Sequence, residues 1–380
     1  MVNIFIILVC FFLAGFFHQG LYFLIPFLTL YYVSTKKESK LFINPISKIY
    51  LNIILIVLMF CLIQSVLNLE IEIFSLKGLL RFVAYFLFAV LISYVRISDI
   101  KAFFKLIVFY FLITIPVGVY QFLEWGRYRN TWDHSNHLAY VLSMCIYFFI
   151  FHKPFKDRKI NNICVFGLII SLLLTKSTGG LLVLIALLGY NALRSSKISF
   201  FQKVVFALLA FSSISLSVRF SEKIAFQLES IDFLTSDFIK ERVETYTIDG
   251  VNRAGGYGSF VWRVIYWSKL LATFFSESFV TVFFGVGVDH LTKGFMPYEF
   301  MDKDPHNDFI KVLLEYGVLG FILFLGFFRL IYKTLSKNFN IIILMVIPMF
   351  FGNAIVNYPF NLTLIIILMH EFKKNYSNAH

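Results

Sequence analysis

The stretch Pro305-His306-Asn307-Asp308-Phe309-Ile310-Lys311-Val312-Leu313-Leu314-Glu315-Tyr316-Gly317-Val318-Leu319-Gly320 stands where a long polar segment gives way to an apolar run. The run reads as the start of a membrane helix. Pro305 cannot lie in its interior, because the ring fixes φ and removes the N–H. Asp308 can accept hydrogen bonds from the first free backbone N–H groups, so it is the expected N-cap. His306 and Asn307 then lie just outside the cap, at the mouth of a span. Glu315 falls about two turns further in. Gly317 and Gly320 follow on a surface that permits close helix contact. A histidine there, with a carboxylate buried below it, meets the needs of proton chemistry on a membrane-bound substrate. The plain alternative is a solvated loop histidine beside a helix start.

The chain is 59% hydrophobic, with a mean hydropathy of +0.79. Soluble domains are nearer about 45–50% apolar, so the expected class is an all-α, polytopic integral membrane protein. The 49 phenylalanines suit lipid-facing helices. Cys10, Cys61, Cys145 and Cys164 each stand alone in an apolar run, with neither metal-ligand spacing nor a disulfide framework, and read as packing residues. Met1 to Phe17 lacks a basic n-region and a small-residue cleavage site, so no signal peptide is expected. Apolar runs near 2–17, 20–33, 48–69, 78–95, 102–123, 137–151, 161–175, 180–193, 204–218, 309–328, 340–352 and 359–371 are the twelve candidate spans. Several are shorter than the roughly 20 residues that a perpendicular helix needs. In 340–371 a single long broken helix is the alternative to two spans.

Charge orients these spans. Lysines and arginines mark cytoplasmic loops. With the N-terminus inside, the inner loops carry Lys36, Lys37, Lys40 and Lys48; Arg96 and Lys101; Lys153, Lys156, Arg158 and Lys159; Arg194, Lys197 and Lys203; Arg329, Lys333 and Lys337; and the tail has Lys373 and Lys374. The alternate loops are poor in charge or acidic. The net charge of +12 is therefore membrane orientation and not a nucleic-acid footprint. Both termini are expected in the cytoplasm. The chain divides into spans one to nine (1–218), a long outward loop (219–305), and a last section (306–380) with the His-Asn stretch, three spans and the tail.

The outward loop is too long to be a mere connection. Its first part, to about Thr247, reads as a charged helix, and Gly250 to Gly258 as a glycine-rich hinge. Phe260 to Phe275, with Trp262, Arg263, Tyr266, Trp267, Leu270 and Leu271, reads as an amphipathic helix with aromatic residues suited to the membrane interface. Gly285-Val286-Gly287 closes it.

The order Arg263-Val-Ile-Tyr-Trp267, Gly285-Val-Gly287, then His306-Asn307 followed by Glu315, Gly317 and Gly320 resembles the signature of the O-antigen ligase/polymerase superfamily of bacterial membrane glycosyltransferases. Upstream, Asn136-His137-Leu138-Ala139 resembles the family's Asn-x-x-Ala start of a span. Thr175-Lys176-Ser177-Thr178-Gly179 resembles its Thr-x-Ser-Arg-Gly turn, with Thr178 where arginine is usual; Lys176 is the substitute at hand. The resemblance covers about 130–360. It implies about twelve spans of the type-C glycosyltransferase class in the bacterial cytoplasmic (inner) membrane. The implied function is an O-antigen or capsular polysaccharide polymerase, which moves a growing glycan from undecaprenyl pyrophosphate to a new lipid-linked repeat unit. The rival in the same superfamily is the O-antigen ligase, which moves the glycan to lipid A-core. A rival of another class is a glycan flippase or transporter, against which stand the missing internal repeat and the charges at span ends.

The chemistry assigns roles. A pyrophosphate leaving group needs positive charge, and arginine supplies a planar bidentate fork that stays protonated. Arg263 is the first candidate, then Arg219, then Arg242 and Arg253. Arg127 and Arg129 break the positive-inside trend and are candidates for sugar or phosphate binding. For each, the alternative is a solvated or snorkelling charge. His306 is the candidate general base for the acceptor hydroxyl. Asn307 holds the acceptor or orients His306. Glu315 braces the site or pairs with a basic residue. His134 and His137 are nearer the bland reading, with no role assigned. No acidic pair stands out for glycoside hydrolysis and no ligand set for a metal, so no cofactor is expected. The expected partners are the lipid-linked oligosaccharide, membrane lipid and a chain-length regulator protein, with no nucleic acid.

Overall fold

The computed structural model describes residues 8–9, 31, 44–66, 73–129, 135–195, 236–244, 258–287, 298 and 304–379. Among these the chain forms thirteen helices and no strand. In order they are α1 (Pro45–Val66), α2 (Ile73–Ser93), α3 (Ile97–Ile113), α4 (Ile115–Trp125), α5 (Ser135–His152), α6 (Arg158–Leu174), α7 (Thr178–Arg194), α8 (Ser236–Glu244), α9 (Gly258–Phe275), α10 (Phe279–Phe284), α11 (Asp308–Thr334), α12 (Phe339–Phe351) and α13 (Tyr358–Ala379). Two of them, α1 and α11, are long and apolar enough to cross a membrane, and the bent pair Gly78–Ser93 and Ile97–Ile113 passes the same test together. Helices α7 and α12 are shorter and apolar. Outward-facing Leu55, Leu62 and Val66 on α1 are exposed, as lipid-facing positions are. Apart from residues 8–9 and 31, the expected spans near 2–17, 20–33 and 204–218 lie outside the described residues.

The expected run 102–123 is two helices, meeting at Thr114. Pro116 is the reason: it cannot donate the i→i−4 bond that a continuous helix requires. Thr114 Oγ1 donates to the Tyr110 carbonyl at 2.9 Å, which also accepts from the Thr114 N–H at 3.1 Å. The run 340–371 is likewise two helices, α12 and α13, separated at 352–357. One side chain braces that break: Asn361 Nδ2 donates to Ala354 O at 2.7 Å and to Asn357 O at 2.8 Å.

The chain divides into two compact units. The first comprises Met1–Leu58, Lys77–Leu187 and Leu325–His380. Its axis is α5, buried almost without interruption from Leu138 to Phe149, as a helix apolar on every side must be. It packs against α3, α6, α12 and α13. Phe104 on α3 stacks on Phe148 of α5 at 3.7 Å. The two upstream motifs meet here: a Cβ on Gly180 would stand 2.7 Å from Ala139 Cβ, and one on Gly179 would stand 2.7 Å from the Tyr140 hydroxyl. The α6–α7 turn is tied by Ser177, whose Oγ accepts from the Gly180 N–H at 3.3 Å.

The second unit comprises Met59–Leu76 and Leu188–Phe324. Its core gathers one face of α9 (Val261, Ile265, Tyr266, Trp267, Leu270 and Phe274) with Val286, Tyr298 and Leu314. The amphipathic helix expected at 260–275 is therefore present, and its apolar face is covered by protein. The helix expected before Thr247 is present as α8, and the glycine-rich hinge lies outside the described residues apart from Gly258.

Candidate functional site

The His-Asn stretch is built by three elements of the second unit: the start of α11, helix α9 and the Gly285-Val286-Gly287 turn. The start of α11 differs from expectation in one respect. Asn307, not Asp308, is the N-cap: its Oδ1 accepts from the Phe309 N–H at 3.0 Å and from the Ile310 N–H at 3.2 Å. Asp308 is already the first helical residue, and it is fully buried. The cap falls on Asn307 because a short amide in that position reaches the N2 and N3 donors. Its oxygen is thereby committed to the helix.

His306 immediately precedes the cap with φ +53°. A non-glycine residue in the left-handed region is held there by its surroundings. Trp267 of α9 donates from Nε1 to the Pro305 carbonyl at 2.7 Å, which fixes the turn on one side. Trp262, on the same helix, meets the His306 ring edge to face, with centroids 6.3 Å apart. Trp262 is in turn stacked on Tyr266 at 5.1 Å. Arg263 stands four residues before Trp267, one turn away on the same face of α9. The aromatic residues of this helix thus position the histidine turn, and Arg263 shares their helix.

Glu315 is buried, with its side chain 3% exposed, and lies 3.6 Å from Lys311 Nζ, one turn earlier. Lys311 is nearly as buried, and its ammonium also reaches Asp304 Oδ2 at 3.0 Å. Glu315 therefore pairs with a basic residue, one of the two roles its position allowed. The spacing Lys311-x-x-x-Glu315 is a visible helical pair, so Lys311 was accessible to sequence reasoning and was passed over. Asp304 could be found only from the loop geometry.

Gly317 is not on a helix surface, as expected, but is a break within α11, at φ +68° and ψ −174°. The break strands the carbonyls of Leu314 and Glu315, whose helical partners lie beyond it. The Val286 N–H donates to Leu314 O at 2.9 Å, and the Gly287 N–H to Glu315 O at 3.3 Å. Gln64 Nε2 adds bonds to Phe284 O at 2.9 Å and to Glu315 O at 3.0 Å. Gly285 and Gly317 face each other so closely that a Cβ on Gly285 would stand 2.6 Å from the Gly317 nitrogen. The Gly-Val-Gly turn and the Glu-x-Gly stretch are thus two halves of one joint. Gln64 carries no sequence signal for this role, being more than 200 residues away along the chain.

Among the described residues no group of three or more His, Cys, Asp or Glu is placed to hold a metal ion. Residues 163–325 match a family model described as O-antigen ligase. That description agrees with the superfamily that these motifs resemble. No curated protein matches the chain. The matched segment contains both glycine halves of the joint, Arg263, His306, Asn307 and Glu315, as well as the α6–α7 turn. Its family supports a membrane-bound, glycosyltransferase-type enzyme of O-antigen biosynthesis.

The remaining candidates fall elsewhere. Arg242 is exposed on α8, its guanidinium 5.4 Å above the Phe238 ring. Arg219, Arg253 and His134 lie outside the described residues. Arg127 and Arg129 belong to the first unit, between α4 and α5. Arg127 Nη2 donates to the Lys176 carbonyl at 3.3 Å, and Arg129 lies 5.3 Å over Trp125. Lys176 lies 4.5 Å over Phe122. Burial, and then the neighbouring Arg129, lower the Arg127 pKa from its ordinary value. Three cations thus gather around the α6–α7 turn where Thr178 replaces the family's arginine.

Proposed function

We propose that this chain moves a growing glycan from undecaprenyl pyrophosphate to a new lipid-linked repeat unit at the outer face of the cytoplasmic membrane, as an O-antigen or capsular polysaccharide polymerase. One observation carries the reading. His306 is held in a left-handed conformation against Trp262, at the mouth of an apolar helix, inside a segment that matches an O-antigen ligase family. His306 takes the proton of the acceptor hydroxyl as that oxygen attacks the anomeric carbon of the donor. The bond from that carbon to the pyrophosphate oxygen breaks as the new C–O bond forms. The polyprenyl pyrophosphate leaves with its charge met by Arg263. A base of this kind contributes on the order of 10²–10⁴-fold. A cation about 4 Å from a phosphate oxygen contributes roughly 4 kcal/mol before desolvation, at an effective dielectric of 20. Glu315, paired with Lys311, braces the helix below. Arg219, Arg242, Arg253, Arg127 and Arg129 are candidates for further phosphate or sugar contacts, Asn307 sets the helix start beside the acceptor, and a chain-length regulator is the proposed protein partner.

The O-antigen ligase is a second reading, favoured by the description of the matched family. A clean deletion with surface glycan resolved on a gel separates the two. A lost polymerase leaves core bearing single repeat units. A lost ligase leaves core without repeats and accumulated polymeric lipid-linked glycan. An unchanged ladder removes both readings.

A further inference from the structure

Among the described residues of the His306 region, Lys311 is a buried cation whose effect on the histidine turn the transfer reading leaves open. A lysine ammonium is compact and strongly hydrated, and a lysine whose stem can reach the surface snorkels to it. Lys311 does not. Its side chain is 7% exposed, and it turns to two carboxylates, Asp304 Oδ2 at 3.0 Å and Glu315 Oε1 at 3.6 Å. Those acids lie on opposite sides of His306 in the chain. Asp304 precedes it by two residues in the loop, and Glu315 follows it by nine in the helix. The loop between them is also fixed by the Trp267 bond to Pro305 O, the Trp262 ring against His306 and the Asn307 cap. The Asn307 cap reaches the first turn of α11, and Lys311 carries the tie one turn further, to Glu315; a residue at φ +53° relaxes toward ordinary backbone if its flanks are released.

We propose that Lys311 is a positioning residue for the transfer reaction: its ammonium ties Asp304 to Glu315 and so holds the His306 turn at the start of α11. This inference rests on the transfer reading above. A buried ion pair that holds one geometry is the use in which such pairs are best attested, and a displacement of about 1 Å in a reacting group costs on the order of 10²-fold in rate.

The test uses the full chain in membrane vesicles, supplied with the polyprenyl-pyrophosphate-linked repeat units that accumulate in a deletion strain. Lys311→Met alone strands the buried Glu315 and the half-buried Asp304 and can fail to accumulate, so the decisive variant is Lys311→Met with Asp304→Asn and Glu315→Gln, which is neutral throughout. The expected result is a wild-type level in the membrane, kcat lowered by on the order of 10²-fold, and donor KM within about threefold of wild type, since the donor's phosphates are held elsewhere. Wild-type kcat in the triple variant, an effect confined to KM, or poor accumulation each overturns the proposal, because Lys311 would then serve charge balance, donor binding or folding. His306→Gln, assayed beside it, keeps the two claims apart. Full activity there removes the transfer reading itself, whereas an inactive His306→Gln with a wild-type triple removes the Lys311 role alone.

Discussion

At the scale of single residues, His306 is in a conformation that costs of the order of 1–3 kcal/mol for a side chain with a Cβ. The cost is met by the Trp267 bond to Pro305, the Trp262 ring and the Asn307 cap. A solvated loop histidine has no need of three such contacts. Arg263 shares a helix with both tryptophans, and its type matters if it meets phosphate. Lysine keeps the charge but presents a point and not a fork, so it cannot make two parallel bonds to one phosphate group. Arg263→Lys is expected to lose at least about tenfold in transfer rate, at a normal level in the membrane, measured on vesicles with immunoblotting for protein. Full activity in Arg263→Lys reduces the residue to electrostatics, and full activity in Arg263→Ala takes it out of the site.

At the scale of elements, the joint between the Gly285-Val286-Gly287 turn and the break in α11 sets where the upper part of that helix points. Backbone meets backbone there, and no side chain fits on either glycine. Gly317→Ala places a methyl group against the Phe283 carbonyl and forces alanine to φ +68°. The backbone strain alone costs roughly 1–2 kcal/mol. Gly326→Ala, in the same helix with nothing within 4 Å of its new Cβ, is the matched control. It is expected to be neutral or up to about 1 kcal/mol more stable. Thermal unfolding of the detergent-purified proteins reads the difference, and equal midpoints for the two variants would show that the joint contributes nothing to stability. The same joint explains the spacing of the motif pieces: the turn supplies the two N–H groups that the broken helix lacks.

At the scale of the whole molecule, the alternation of basic and non-basic loops predicts an orientation with 219–305 outside. Orientation is a property of the chain in its membrane, so labelling tests it. In a variant with the native cysteines replaced, a cysteine at Lys240, which is exposed on α8, is expected to react with an impermeant reagent in intact spheroplasts. One at Lys156, in an exposed connection between α5 and α6, is expected to react only after permeabilisation. The reverse pattern would put the His306 region in the cytoplasm, where lipid-linked glycan transfer at the outer face is impossible.

Much of this was legible in the residues themselves. Composition alone set the membrane class, and apolar runs located α1, α5, α6, α7 and the core face of α9, because burial periodicity and solvent exclusion are local properties of a helix. The order of arginine, glycine pair, His-Asn and Glu-x-Gly marked the candidate site. Only tertiary structure decided what those residues do for one another. Asn307 and Asp308 are both good caps by type, and the one that caps is chosen by where the loop delivers the chain. Gly317 looks like a helix-packing glycine until its partner Gly285 is beside it. Pro116 and the 352–357 break divide runs that hydropathy reads as continuous. Stranded carbonyls and buried charges must be satisfied, and their partners, Gln64 for Glu315 O and Asp304 for Lys311, are brought to them by the folded backbone and not by spacing along the sequence.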